Sequence, residues 1–259
     1  MSNKSVYVAF CNQKGGVGKS AFTTLVASSF HYAGNKNVAV IDCDYPQFSI
    51  YTMRERDKSF VLANDHLKEL LTAQYESIGK KAYTILSTKT EDALSVANEY
   101  VTNSDTKIDV VFFDLAGTVS GKGIMTLMLN MDYIFCPVTT DRLVMQSSLT
   151  YASVIKDCMS KYPAISLKGF HLFWNQLVKT ENREVYDAYS KIIEQLNLNV
   201  LKTEIPFTIK YKREMSQSNK QIFRSTLFPP SKSLLKGTNL EAFVEEIRQI
   251  INLQQNGNT

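Results

Sequence analysis

Five segments of the chain are rich in apolar residues without strict alternation: 6–11, 38–41, 108–113, 133–138 and 167–173. Such runs suit strands buried on both faces of a sheet, as central parallel strands are. Between them the apolar spacing changes to that of a helix. After the first run, Phe22, Leu25, Val26, Ser29 and Phe30 recur at i, i+3, i+4, i+7 and i+8, and Gly34 is placed to stop the helix. Further helices are predicted over 90–101, 122–129, 143–161, 183–196 and 240–251. Strands that alternate with helices build βαβ units, so the expected class is α/β: a doubly wound, mostly parallel sheet with helices on both faces. In such sheets a ligand sits beyond the carboxyl ends of the strands, and the residues that follow strands carry the chemistry.

With 259 residues and 44% hydrophobic content, the chain can bury one sizeable core. No Pro/Gly/Ser-rich linker, low-complexity tract or repeat divides it, which predicts a single domain over 1–259. Cys11, Cys43, Cys136 and Cys158 lie far apart without CxxC spacing, and the three histidines form no metal-binding pattern. They read as thiols in a reducing compartment. No apolar stretch reaches the roughly 18 residues of a spanning helix, and the N-terminus runs straight into a strand, so the expected location is cytoplasmic. A net charge of +4 is too small to announce nucleic-acid binding by itself.

Directly after the first apolar run stands Gln13-Lys14-Gly15-Gly16-Val17-Gly18-Lys19-Ser20, followed by Ala21. A glycine loop between a strand and a helix lets backbone N–H groups converge on a phosphate, and the helix N-terminus adds its positive dipole end. Gly15, Gly16, Val17, Gly18, Lys19, Ser20 and Ala21 are the expected cradle. Lys19 supplies a cation and Ser20 a hydroxyl for magnesium. The second run ends in Ile41-Asp42-Cys43-Asp44-Tyr45-Pro46-Gln47, and the third in Val110-Val111-Phe112-Phe113-Asp114. Carboxylates near a phosphate loop can hold magnesium or orient an attacking water, although an Asx turn after a strand also places aspartate there.

The loop has Gln13 where the strict P-loop has glycine, and a second lysine, Lys14, before the glycine pair. In this it resembles the deviant-Walker (ParA/MinD-type) ATPases, whose loop reads KGGxGK followed by Ser or Thr. The resemblance implies ATP and Mg2+ as cofactors and assigns Lys14, Lys19 and Asp44 to catalysis, Asp44 being the aspartate associated with hydrolysis. Lys14 would reach across a homodimer to the phosphates of ATP in the other subunit. Ser20, Asp42 and Asp114 would serve magnesium, Asp114 through a bound water. The family reads DxDPQ at the second strand, whereas this chain inserts Tyr45 before Pro46. Leu115-Ala116-Gly117-Thr118 resembles the second switch loop. Asn175, after the fifth run, and Pro206, in Thr203-Glu204-Ile205-Pro206-Phe207, resemble the residues that frame adenine.

From 202 to 224 the chain carries Lys202, Lys210, Lys212, Arg213, Lys220 and Arg224 against Glu204 and Glu214. In the partition branch of the family, basic residues after the Ile-Pro segment bind DNA without sequence preference, which implies Lys210, Lys212 and Arg213 as DNA contacts; a lysine-rich face can also be simply solvated. The last helix opposes Leu240, Phe243, Val244, Ile247, Ile250 and Ile251 with Glu241, Glu245, Glu246 and Arg248, an acidic face suited to packing on the domain and not to anionic lipid. No membrane role is expected. The mixed-charge stretch 54–58 reads as an exposed helix.

The resemblance therefore implies a ParA-like ATPase, similar to those of conjugative elements, that dimerises on ATP, binds DNA or a ParB-like or other partner protein, and resets by slow hydrolysis. The alternatives are a MinD-like positioning ATPase and an ATP-dependent carboxylation or amidation enzyme of the same fold. A relative of the nitrogenase iron protein would need paired cysteines at a dimer interface.

Overall fold

The computed structural model describes residues 4–115, 117, 122–162, 164–178, 183–215 and 222–251. Seven strands form one all-parallel sheet: β1 (Val6–Phe10), β2 (Val38–Asp42), β3 (Thr84–Ser87), β4 (Val110–Asp114), β5 (Tyr133–Val138), β6 (Gly169–Trp174) and β7 (Asn199–Val200), in the spatial order β3-β2-β4-β1-β5-β6-β7. The helices are α1 (Lys19–Ser28), α2 (Ser49–Leu62), α3 (Asp65–Ile78), α4 (Ala93–Asn103), α5 (Lys122–Leu129), α6 (Arg142–Lys161), α7 (Glu184–Gln195), α8 (Lys232–Leu235) and α9 (Leu240–Ile250).

The two-sided apolar runs have a direct structural cause. Along β1, Tyr7, Ala9 and Cys11 face a layer with Ala93, Leu127, Met145 and Ile193 of α4 to α7, while Val8 and Phe10 face Phe22, Leu25 and Phe243 of α1 and α9. From Tyr7 to Cys11 each residue is buried whichever way it points, which removes the alternation expected of a half-exposed sheet. The chain leaves β1 for β2 on one side and later passes from β4 to β5 on the other, so the strand order reverses at β1. A cleft opens at the carboxyl ends there.

All five predicted strands and all six predicted helices are present, with ends shifted by a few residues. The helix after the glycine loop runs through α1 into a π-helical turn, Ser29–Ala33, and ends at Gly34. Gly34 has φ −95, so no left-handed cap requires it. Space does: a Cβ there would lie 2.8 Å from Arg248 Nη2 and 2.9 Å from the Phe30 carbonyl oxygen.

The stretch 54–58 is helical as expected, inside α2, and Glu55 and Lys58 are exposed, but its full exposure is corrected: Arg54 and Asp57 are buried. Arg54 donates from Nε to Thr226 Oγ1 (2.9 Å), from Nη1 to the Tyr83 carbonyl (2.9 Å) and from Nη2 to the Thr226 carbonyl (3.0 Å). Asp57 Oδ2 accepts from Ser225 Oγ, Thr226 N and Thr226 Oγ1 at 2.8 to 2.9 Å. Charges supplied with this many partners can leave water, and here they fasten α2 to the segment that follows the basic stretch.

α9 packs as its pattern predicts: Leu240, Phe243, Val244 and Ile247 are buried, and the Glu246 carboxylate accepts from the backbone of Lys202 and Thr203 at 2.7 and 2.9 Å. Among the described residues, no helix is long and apolar enough to cross a membrane.

Candidate functional site

The loop between β1 and α1 is held from several directions. Gly16 and Gly18 adopt φ +75 and +95, left-handed conformations that favour glycine. Lys14 donates its backbone N–H to Asn12 Oδ1 (2.9 Å), and its carbonyl accepts from Lys19 Nζ (3.0 Å). Asn12 is itself buried and donates to the Pro137 carbonyl (2.7 Å) and Ser148 Oγ (2.9 Å), so β5 and α6 set the position of the loop. Asn175 Nδ2 donates to the Val17 carbonyl (2.9 Å), and Gln176 Nε2 to that of Gly16 (3.2 Å). No side chain caps the start of α1, which leaves its first N–H groups available to an anion.

β2 and β4 pair with Asp42 opposite Asp114. Asp42 Oδ2 accepts from the backbone N–H groups of Ile50 (2.9 Å) and Tyr51 (3.0 Å), and Oδ1 from Asp44 N (3.3 Å). Asp42 thus anchors the start of α2, and its oxygens are largely engaged by the protein; burial nevertheless raises its pKa, offset in part by these amides. Any contact of Asp42 with a magnesium site falls to Oδ1, which accepts only the longer bond from Asp44 N. Asp114 is different. It is fully buried, and neither carboxylate oxygen accepts a hydrogen bond of ordinary geometry. Burial pushes its pKa up to about 7, the adjacent Ser20 hydroxyl lowers it and the Asp42 and Asp44 charges raise it further.

Two adjoining pockets open on this loop. The larger, about 600 Å3, is lined by Gln13, Gly15, Lys19, Ser20, Asp44, Tyr45, Gln47, Leu115 and Gly117, among others. The smaller, about 140 Å3, lies between Phe22, Asn175, Pro206, Phe207, Tyr211 and Lys212. The Lys19 ammonium, the Ser20 hydroxyl, the Asp44 carboxylate and the open helix N-terminus share the first, while the second is part apolar and has an amide at its wall. A polyanion joined to a planar base fits the pair. Asn175 spends one amide hydrogen on Val17 and one lone pair on Gln176 N, and keeps one of each. Tyr45, the inserted residue, is 56% exposed at the rim of the larger pocket, with Lys89 Nζ 5.4 Å from its ring centroid. Of the second switch loop, Leu115 and Gly117 line the larger pocket; Ala116 and Thr118 lie outside the described residues.

The residues expected to contact DNA do not share one setting. Lys210 donates from Nζ to the Lys236 carbonyl (2.7 Å), Lys212 is exposed and lines the smaller pocket, and Arg213 is half-buried. Lys220 lies outside the described residues, and Arg224 pairs with Glu214. Cys11, Cys43 and Cys136 are buried, with the Cys136 thiol pushed up to about 12 by burial, and among the described residues no group of three or more His, Cys, Asp or Glu could hold a metal ion. Sequence reasoning missed Asn12, Tyr45 as a pocket residue, and Arg224, which lines both pockets. For Asn12 there was a signal, an amide residue between an apolar strand and the glycine loop.

Several solved structures share this fold. A plasmid partition protein from Borrelia burgdorferi bound to AMPPNP is 18% identical, with a TM-score of 0.61 over 95% of this chain and 100% of that one. Cobyrinic acid a,c-diamide synthase from Mycobacterium smegmatis, with bound ADP and magnesium, is 17% identical, with a TM-score of 0.61 over 97% and 98%. A chain of the MinC:MinD cell division complex of Aquifex aeolicus is 13% identical, with a TM-score of 0.58 over 96% of each. No curated protein sequence matches the chain. The family model of the CobQ/CobB/MinD/ParA nucleotide binding domain matches residues 8–221, and this chain, with its phosphate-type loop at the switch point of a parallel sheet, belongs to that family.

Proposed function

We propose that the protein is a nucleotide-switched ATPase of the ParA type. ATP and Mg2+ bring two copies face to face, the dimer binds DNA non-specifically or a ParB-like or other partner protein, and slow hydrolysis resets it. The cargo would be a plasmid or conjugative element. One observation carries the dimer: Gln13 and Gly15 line the larger pocket but Lys14 between them does not. Lys14 is exposed, its backbone is fixed at both N–H and carbonyl, and among the described residues no carboxylate pairs with its ammonium. A rigidly mounted, unpaired cation beside its own phosphate site suits a triphosphate brought by a second copy, where a shielded interface strengthens the contact.

The geometry supports a division of roles within one copy. Lys19 neutralises phosphate charge from inside the loop, and Gly15 to Ala21 present N–H groups. Asp44, at the pocket wall, holds and orients the attacking water. Ser20 and Asp114 suit Mg2+, since a hydroxyl and an unsatisfied buried carboxylate are hard oxygen donors that gain most from a cation. The ion, when bound, would offset the charge on the terminal phosphates. Asn175 and Pro206 would flank the base.

A phosphate-release assay with and without plasmid DNA tests this reading: DNA or partner should stimulate slow turnover. The second reading, an amide-forming or carboxylating small-molecule enzyme, is supported by the equal TM-score of 0.61 to the diamide synthase. Release that requires a metabolite and ignores DNA would favour it. A MinD-like positioning role would show as stimulation by a protein partner without DNA affinity.

A further inference from the structure

Four residues line both pockets: Gly16, Gly18, Ala21 and Arg224. Three belong to the loop. Arg224 comes from a distant part of the chain and lines the same junction, where a nucleotide spanning the two pockets would carry the phosphate nearest its sugar.

The surroundings of Arg224 form a line of alternating charge. Asp57 Oδ1, buried in α2, lies 3.6 Å from Arg56 Nη2; Arg56 Nη1 pairs with Glu214 Oε2; and Glu214 Oε1 pairs with Arg224 Nη2. The line starts on an anion inside the protein and ends on a guanidinium at the pocket. One carboxylate serves two guanidiniums, and Arg224 Nε is buried without a hydrogen-bond partner. An anion in the junction would continue the alternation and offer acceptors to donors that Glu214 cannot saturate. A guanidinium can meet a phosphate with two parallel hydrogen bonds, which an ammonium cannot.

From this geometry we propose that Arg224 is a phosphate-contacting residue of the nucleotide site, gripping the phosphate next to the sugar, and that the Asp57–Arg56–Glu214 line holds it there. The proposal rests on the reading that a nucleotide occupies the two pockets. It adds to Lys19 a cation in cis from outside the glycine loop, and it ties nucleotide contact to α2, the helix that follows directly from the Asp44 loop.

Titration of ATP and ADP into the full chain by calorimetry, with Tm recorded for every variant, tests it. Arg224→Gln should weaken both nucleotides by the same factor of about ten, because the contact is to a phosphate they share. Arg224→Lys should recover part of that loss. Glu214→Gln keeps the guanidinium but loosens the line that holds it, and should weaken binding measurably but by no more than about threefold. Wild-type affinity in Arg224→Gln would overturn the proposal, as would an equal loss in Glu214→Gln, which would make Arg224 a brace only. If the wild type binds no ATP, or binds it as well after Lys19→Ala, the reading of the site fails and this contact with it. Retained Lys19 dependence with no Arg224 dependence isolates failure of the present proposal.

Discussion

Asp42 and Asp114 stand opposite one another at the carboxyl ends of adjacent strands, yet the backbone satisfies only Asp42. The pair divides the work of one edge: Asp42 secures the start of α2, and Asp114 is left bare beside Ser20. A carboxylate buried without partners costs stability.

That cost has a pH signature. Folded Asp114 holds its proton up to about 7, against an ordinary value of 3.8. Between those values the folded state binds more protons than the unfolded chain, so this group's contribution to stability falls as pH rises through the window. At about 1.4 kcal/mol per pH unit, the penalty approaches about 4 kcal/mol above pH 7. Asp114→Asn should therefore stabilise the nucleotide-free protein at pH 8, with the advantage shrinking towards pH 5. Urea unfolding at both values checks it, and a pH-independent difference would count against the assignment.

Asp42→Ala and Asp44→Ala should separate structure from turnover. The first removes an acceptor from two helix-start amides and should cost about 2 kcal/mol in urea unfolding. The second, at the pocket wall, should change stability by no more than about 0.5 kcal/mol. Asp44→Ala should retain ATP binding while phosphate release falls by about 100-fold. Normal hydrolysis in that variant would remove Asp44 from the chemistry.

Asp57→Ala should be among the most damaging changes away from the pockets. It strips Thr226 of its acceptor and leaves the buried Arg54 guanidinium without the carboxylate it reaches through Thr226, a loss of about 3 to 5 kcal/mol. Glu55→Ala, on the exposed side of α2, should stay within about 0.5 kcal/mol. Equal stability of the two variants by denaturation would show that the network does not fasten α2.

The parts of this molecule that could be read from the chain are those whose cause is local. Buried parallel strands announce themselves by two-sided apolar runs, and Gly16, Gly18, Lys19 and Ser20 form one contiguous segment. What escaped depends on distant partners. Asn12 has its role because Pro137, 125 residues away, receives its amide. Arg54 and Asp57 looked solvated because nothing near them in the chain shows that Ser225 and Thr226 will cover them. Arg224 looked like one more charge in a basic stretch, and only the fold carries it to the junction of the two pockets. β3 and β7 are edge strands, four and two residues long, with no fully buried residue to mark them.

The central claim is that Lys14 serves the nucleotide of a second copy. Sedimentation velocity of the wild type and Lys14→Ala, each with ADP and with a non-hydrolysable ATP analogue, tests it most directly. The wild type should be monomeric with ADP and dimeric with the analogue, whereas Lys14→Ala should bind the analogue within about threefold of the wild type and remain monomeric. A Lys14→Ala protein that dimerises as the wild type does would contradict the account.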